Sequence, residues 1–326
     1  MSLMRALILS FLATVTAAAQ VATFSIVAYD PVNGDWGVTV ASRYFSVGSV
    51  VPWAEAGVGA IATQANVNVG YGPRGLELLR QGHTAKEVLD QLLAEDKFDG
   101  KDGRQVAIID GKGTIATFTG PNAPKWAGDR QGKTWSAQGN ILVGPQVVES
   151  MGRAFEAASG ELAEKLYAAL KAGDEAGGDS RGKQSASMLV VRRQGGRNTN
   201  NDRYIYINVD DNPNPFPELR RLLDLNLGYL YQDRTFKLLT SGKNKEARDA
   251  AAQVVRYWPQ RPDGHLSLGL LEYAAGNKAA ALAELKTART VGNNPNFRRQ
   301  LESAAQRPLF KPLLDDQEFL KQLFPE

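Results

Sequence analysis

A threonine hydroxyl is a weak nucleophile unless a base stands beside it, and Thr23 is placed where its own amine can be that base. It follows a leader-like stretch almost immediately and opens the strand-forming run Thr23-Phe24-Ser25-Ile26-Val27-Ala28-Tyr29. An N-terminal α-amine has an ordinary pKa of about 7.7–8.0, so much of it is neutral near pH 7. If Thr23 becomes the first residue, that amine can take the hydroxyl proton, directly or through a water, as Oγ1 attacks a carbonyl. The developing oxyanion then needs donors, each typically worth about 2.7–4 kcal/mol in sites of this kind. Asn140, in a Gly-Asn pair at a strand end, is the first candidate, and backbone N–H groups at Gly139 and nearby glycines are the second. The plain alternative is an ordinary strand-opening threonine, because threonine favours strands.

Composition removes competing chemistries. The chain has no cysteine, which excludes disulfides, thiolate metal sites, a cysteine nucleophile and a lipoprotein anchor. Its two histidines each have a structural explanation. His83 precedes Thr84-Ala85-Lys86-Glu87, a capping box, and His265 falls in a C-terminal helical region. A Ser-His-Asp triad and a multi-histidine zinc site are therefore disfavoured, and no metal or cofactor is expected. With 38 Lys+Arg against 35 Asp+Glu, interspersed along the chain, no dedicated nucleic-acid surface is expected. Asp210-Asp211-Asn212 does not match calcium-loop spacing and reads as a solvated turn. The Gly57–Ala62 segment formally fits a dinucleotide pattern, but no helix opens after it.

Further polar residues are candidates for holding substrate. Gln64 ends an apolar strand, where a buried amide wants partners; it either orients substrate or pins a loop. The segment from Gly177 to Ser185, with Asp179, Gln184 and Ser185, offers backbone N–H groups and hydroxyls that suit a carboxylate. A flexible crossover between helix and strand is its other reading.

Stepping outward, alternation and helical spacing predict strands over 23–29, 36–42, 57–64, 105–109, 114–119, 139–143, 186–191 and 204–209. Helices are predicted over 75–80, 85–94, 146–158 and 162–172. Paired helices between blocks of hairpin-linked strands point to an α+β fold with two antiparallel sheets and helical layers outside, not to alternating βαβ units. Residues 1–19 read as a signal peptide: Arg5, an apolar run, then Ala17, Ala18 and Ala19. Cleavage after Ala19 leaves Gln20-Val21-Ala22 ahead of Thr23; cleavage after Ala22 is disfavoured because Gln20 then sits where a small residue is preferred. The protein is accordingly expected to be exported, periplasmic or secreted. No later segment is long and apolar enough for a membrane span.

The expected domain occupies 20–210, followed by a proline-rich linker over 211–217 and an all-α tail over 218–326. In the tail, Gly242-Lys243-Asn244-Lys245-Glu246-Ala247 recurs as Gly276-Asn277-Lys278-Ala279-Ala280-Ala281. The offset, about 34 residues, is the period of tetratricopeptide (TPR) repeats, and Leu268-Gly269 and Tyr273 fit its pattern. Only about two units are visible where a free solenoid needs about three. The tail is expected to lean on the first domain or on a second copy, and to be a surface for a protein partner or self-association. A generic helical hairpin is the alternative.

Thr23-Phe-Ser-Ile-Val-Ala-Tyr, Gly37-Val38-Thr39-Val40-Ala41-Ser42-Arg43 and Gly59-Ala60-Ile61-Ala62-Thr63-Gln64-Ala65 resemble the N-terminal nucleophile (Ntn) hydrolases. With Tyr71-Gly72-Pro73-Arg74-Gly75, Gln138-Gly139-Asn140 and the segment Gly177–Ala186, they resemble more closely a bacterial and archaeal family of unknown function, classed as Ntn-hydrolase-like. Some members of that family carry a peptidoglycan-binding tail, and Pro215-Phe216-Pro217-Glu218-Leu219 resembles the start of its C-terminal extension. The resemblance implies a four-layer αββα sandwich and hydrolysis of an amide-like bond in a small amide, peptide or cell-wall fragment. Proteasome-type members carry a Ser-Arg pair where Ser42-Arg43 stands, but Ala41 replaces their aspartate. No lysine stands at their amine-tuning strand position, which argues against proteasome-like proteolysis. Arg43 either supplies the missing positive charge or pairs with a surface carboxylate. A non-catalytic binding protein for peptide or peptidoglycan is the alternative function.

Overall fold

The computed structural model describes residues 23–197 and 201–325. The expected leader and both cleavage sites lie outside the described residues. The chain opens with a hairpin of β1 (Thr23–Asp30) and β2 (Asp35–Ser42), closed by a turn in which Asp30 Oδ1 accepts from the Val32 N–H at 2.9 Å. Alternation along β1 divides its side chains. Phe24, Ile26 and Ala28 enter one core, while Thr23, Ser25 and Val27 look the other way.

Two short strands that the sequence pattern did not reveal appear next to predicted ones. β3 (Pro52–Glu55) precedes β4 (Gly59–Ala65). Helices α1 (Tyr71–Arg80) and α2 (Ala85–Glu95) follow; α1 starts before the predicted 75, and Pro73 is tolerated in its first turn, where its missing N–H has no helical acceptor. Thr84 and Glu87 form the capping box of α2. Strands β5 (Arg104–Asp110), β6 (Ile115–Thr119), β7 (Gly128–Gln131) and β8 (Trp135–Asn140) come next. The strand predicted over 139–143 is corrected: β8 lies earlier and ends at Asn140, and Ile141 turns left-handed at φ 53°. The apolar run Ile141-Leu142-Val143 is loop, with Leu142 filling the core. The edge strand β7 is polar, so it carried no alternation signal.

Helices α3 (Gln146–Ala157) and α4 (Leu162–Glu175) lead to β9 (Ser185–Arg192) and β10 (Arg203–Val209). All pairings are antiparallel and make two sheets, ordered β10-β9-β2-β1-β8-β7 and β3-β4-β5-β6. Val27, Val38 and Val40 of the first sheet pack on Ala60, Ala62, Ala107 and Ile109 of the second. Each buried branched side chain of this kind contributes about 1.5–3 kcal/mol. Helices α3 and α4 cover the outer face of the six-stranded sheet, and α1 and α2 that of the four-stranded one.

Helix α5 (Pro215–Thr240) begins at Pro215, inside the expected linker. Its Phe216, Leu219, Leu223 and Leu227 are buried in the same core as Ile205, Ile207 and Val209 of β10. α6 (Asn244–Tyr257) adds Val254 and Tyr257 to that core, and Trp258 after it packs there too. A second core joins Ala247 and Ala251 of α6 to α7 (Pro262–Ala274), α8 (Lys278–Gly292), α9 (Phe297–Ala304), α10 (Pro312–Asp315) and α11 (Gln317–Leu323). No helix among the described residues is long and apolar enough to cross a membrane.

Candidate active site

β1 lies between β2 and β8, and Thr23 stands directly opposite both Ser42 and Asn140. Ser42 in turn stands opposite Ser185 of β9. Residues opposite one another in antiparallel strands share a face, so Ser185, Ser42, Thr23 and Asn140 form one polar row facing the second sheet. Thr23 Oγ1 lies 3.0 Å from Ser42 Oγ. One pleat deeper, Ser25 stands opposite Gln138, and its hydroxyl donates to Gln64 Oε1 at 2.7 Å. The inter-sheet layer is thus polar at this end and becomes apolar from Val27 onward.

Gln64 and Gln105, opposite one another on β4 and β5, reach across from the second sheet. Gln64 Nε2 donates to the Thr23 carbonyl at 3.3 Å and to Gln105 Oε1 at 2.8 Å. Asn140 Nδ2 donates to the same Gln105 oxygen at 3.1 Å. Gln105 Nε2 meets the Gly139 carbonyl at 2.9 Å, the Thr119 hydroxyl at 3.0 Å and the Gly128 carbonyl at 3.2 Å. These amides hold the Thr23 strand against the facing sheet. Asn140 Oδ1 and Gln138 Oε1 are buried here without a hydrogen-bond partner among the described residues. Leaving a buried acceptor unsatisfied typically costs about 1–3 kcal/mol, so such a pair is unusual in a region that only packs.

Strain collects at the same end. β2, β4 and β8 are each followed or ended by a non-glycine residue in the left-handed region: Ser46 (φ 52°), Ala65 (φ 65°) and Ile141 (φ 53°). For a β-branched residue this is a true outlier, and such conformations typically cost about 1–3 kcal/mol each. The chain after Ala65 is held by Arg104, which donates to the Asn66 carbonyl and to Asp96 at 2.9 Å. Burial works against ionisation of Asp96. Hydrogen bonds from Arg104, Tyr71 and the Phe98 N–H outweigh it and hold the carboxyl well below its ordinary range.

The predicted residues divide into two groups. Thr23, Ser42, Gln64, Gly139 and Asn140 come together. Arg43 does not join them: its guanidinium is exposed and donates to the Arg181 carbonyl at 2.6 Å, and its N–H goes to Asp179 Oδ2 at 3.0 Å. Asp179 also accepts from the Arg181 N–H and guanidinium, so both its oxygens fasten this loop. The Gln184 N–H donates to the Ser42 carbonyl at 3.0 Å while its side chain donates to Asp211 at 3.1 Å. The Ser185 hydroxyl donates to the Tyr44 carbonyl and accepts from the Val47 N–H. These three residues brace the loop after β2.

Ser25 and Gln138 also belong to the site, as does Gln105, which was not singled out from sequence. Gln105 carries the same signal as Gln64, a polar side chain bordering an apolar strand. Both nitrogens of His265 are engaged, by Glu284 at 2.6 Å and the Pro259 carbonyl at 3.0 Å, within the tail. Among the described residues, no group of three or more His, Cys, Asp or Glu side chains is arranged to hold a metal ion.

Residues 23–219, from Thr23 into α5, match the family of unknown function DUF1028. The chain belongs to the DUF1028 family. The crystal structure of protein SPO2555 from Silicibacter pomeroyi, also a DUF1028 protein, is similar to it, with 31% identity and a TM-score of 0.56. That match covers 62% of this chain and 84% of the other. No curated protein matches this chain significantly. The DUF1028 segment begins at Thr23 itself, contains every residue of the polar row, and ends within the first helix of the tail.

Proposed function

We propose that this DUF1028 protein is an exported Ntn-type amidohydrolase whose nucleophile is Thr23 Oγ1. The observation that carries the reading is the polar row: a threonine at the start of a central strand, 3.0 Å from a serine hydroxyl and opposite an asparagine. The layer order of helices, sheet, sheet, helices supports the αββα expectation. Removal of Gln20-Val21-Ala22, at the signal cleavage or by autoproteolysis, frees the Thr23 amine. The amine accepts the hydroxyl proton as Oγ1 attacks the substrate carbonyl carbon. One Asn140 amide hydrogen is engaged by Gln105, and the other serves the oxyanion. Collapse breaks the C–N bond, the α-ammonium protonates the departing amine, and water releases the acyl group from Oγ1. None of these steps uses a metal. The substrate is a small amide, a peptide or a cell-wall fragment.

Within this reading Gln64 is a positioning residue, because its oxygen and its nitrogen are engaged inside the protein. Arg43, with Asp179, Gln184 and Ser185, shapes the rim through the loop after β2. The tail is read as a short TPR-like surface for a protein partner. Its two hairpins repeat one turn: Gly242 and Gly276 are both left-handed, at φ 72° and 83°, and each donates to the carbonyl three residues before it.

A second reading, a non-catalytic binder of peptide or peptidoglycan, is favoured by one observation: Thr23 is only 2% exposed. Treatment with an acylating electrophile separates the two. The wild-type chain is expected to be labelled at Thr23, whereas Thr23→Ala keeps its melting temperature within a few degrees and loses the label. Equal labelling of the variant would move the nucleophile to Ser42 or Ser25 and defeat the assignment.

A further inference from the structure

A cleft of about 780 Å³ lies at the opposite end of the six-stranded sheet, where α5 crosses it. Asn33, in the β1–β2 turn, lines it, which places the cleft one full strand, roughly 25 Å, from Thr23. Its volume is that of a typical small-molecule site, roughly 300–1,000 Å³. The walls are of two kinds. Leu230, Tyr231 and Phe236 of α5 and Tyr204 of β10 are apolar or aromatic. Phe236 is more than half exposed, with the Arg307 guanidinium 5.2 Å from its ring centroid.

The cleft's charges are unevenly satisfied. Arg192 stacks over Tyr204 at 3.9 Å and is paired with Asp35 at 2.6 Å and Glu161 at 2.8 Å. Glu161 also accepts from the Tyr231 hydroxyl at 2.7 Å, so this floor is cross-linked, with two carboxylates sharing one guanidinium. Asp233 faces Arg197 at 3.8 Å. Arg234 and Lys237, one turn apart on α5, have no carboxylate partner among the described residues. Arg234 also borders Glu161, Glu246 and Asp249, but among the described residues neither it nor Lys237 is held in a salt bridge, and an aromatic wall beside two such cations suits a ligand with an apolar body and an anionic head.

We propose that this cleft is a second ligand site, separate from Thr23, for an amphipathic carboxylate. The head engages Arg234 and Lys237, and the apolar body lies against Leu230, Phe236 and Tyr204. Isothermal titration of the full chain with N-octanoylglycine and with its neutral primary amide tests this. The carboxylate is expected to bind saturably at one site per chain, roughly tenfold more tightly than the amide. Arg234→Ala with Lys237→Ala should remove that preference while leaving amide binding unchanged, and Thr23→Ala should alter neither. Absence of saturable binding, equal affinity for acid and amide, or loss of binding in Thr23→Ala would overturn the proposal. The acid–amide comparison uses the unaltered chain and stands even if the double variant folds poorly.

Discussion

At the residue scale, Gln105 explains why Thr23 stays where it is. One buried amide takes hydrogen bonds from Gln64 and Asn140 and gives its own to the Gly139 carbonyl and its neighbours. Gln105→Ala would strand the Gln64 and Asn140 donors and the Gly139 acceptor together. Losing the partner of one buried polar group typically costs about 1–3 kcal/mol, so the variant is expected to lose at least that in urea unfolding. A loss under about 0.5 kcal/mol would mean that the amide network is not what holds β1. Thr23, Asn140 and Gln64 were legible in sequence because each is a polar residue in or beside an apolar strand. Arg43 was legible as a residue and not as a direction. Its guanidinium is turned by Arg181 and its N–H by Asp179, both roughly 136 positions away, and no local pattern encodes that return.

At the element scale, the strands that carry the site were legible from period-two alternation, and their ends were not. β8 stops at Asn140 because Ile141 leaves the ladder and donates its N–H to the Pro124 carbonyl at 2.9 Å. The apolar Ile-Leu-Val run suggested more strand than the chain forms. The last helices of the tail depend on a carboxylate in the same manner as caps elsewhere. Asp316 accepts from Lys278 at 2.6 Å, from the Phe319 N–H at 3.1 Å and from the Tyr273 hydroxyl at 2.8 Å. The Lys278 bond, then the other two, lower its carboxyl to about 2. A depressed carboxylate contributes stability that is present above its unfolded value, about 3.9, and is lost as pH falls towards the folded one. The tail of the wild-type protein should therefore lose helicity on acidification between about pH 4 and 2. Asp316→Asn should be less stable at pH 7 and show a flatter profile in that window. Identical profiles for the two proteins, followed by circular dichroism, would show that Asp316 does not set the acid transition of the tail.

At the scale of the whole molecule, sequence suggested a linker where the structure has a shared core. Pro215 looked like a break because proline opens this helix at its first turn, where it is tolerated. The leucines of α5 repeat at helical spacing, but nothing local says that they bury against β9 and β10 and not against the tail. Truncation after Asn214 is therefore expected to give aggregated or dye-binding protein, since it uncovers Ile205, Ile207 and Val209. A soluble, cooperatively unfolding fragment would show that α5 is dispensable to the first core. Thr23 has no free α-amine while Gln20-Val21-Ala22 precede it, so the proposed nucleophile depends on where the mature chain begins. Intact-mass analysis of the protein recovered after expression of the full sequence, residues 1–22 included, measures this directly. A mature chain beginning at Thr23 is expected. A stable chain beginning at Gln20, in protein that still hydrolyses an amide, would contradict it.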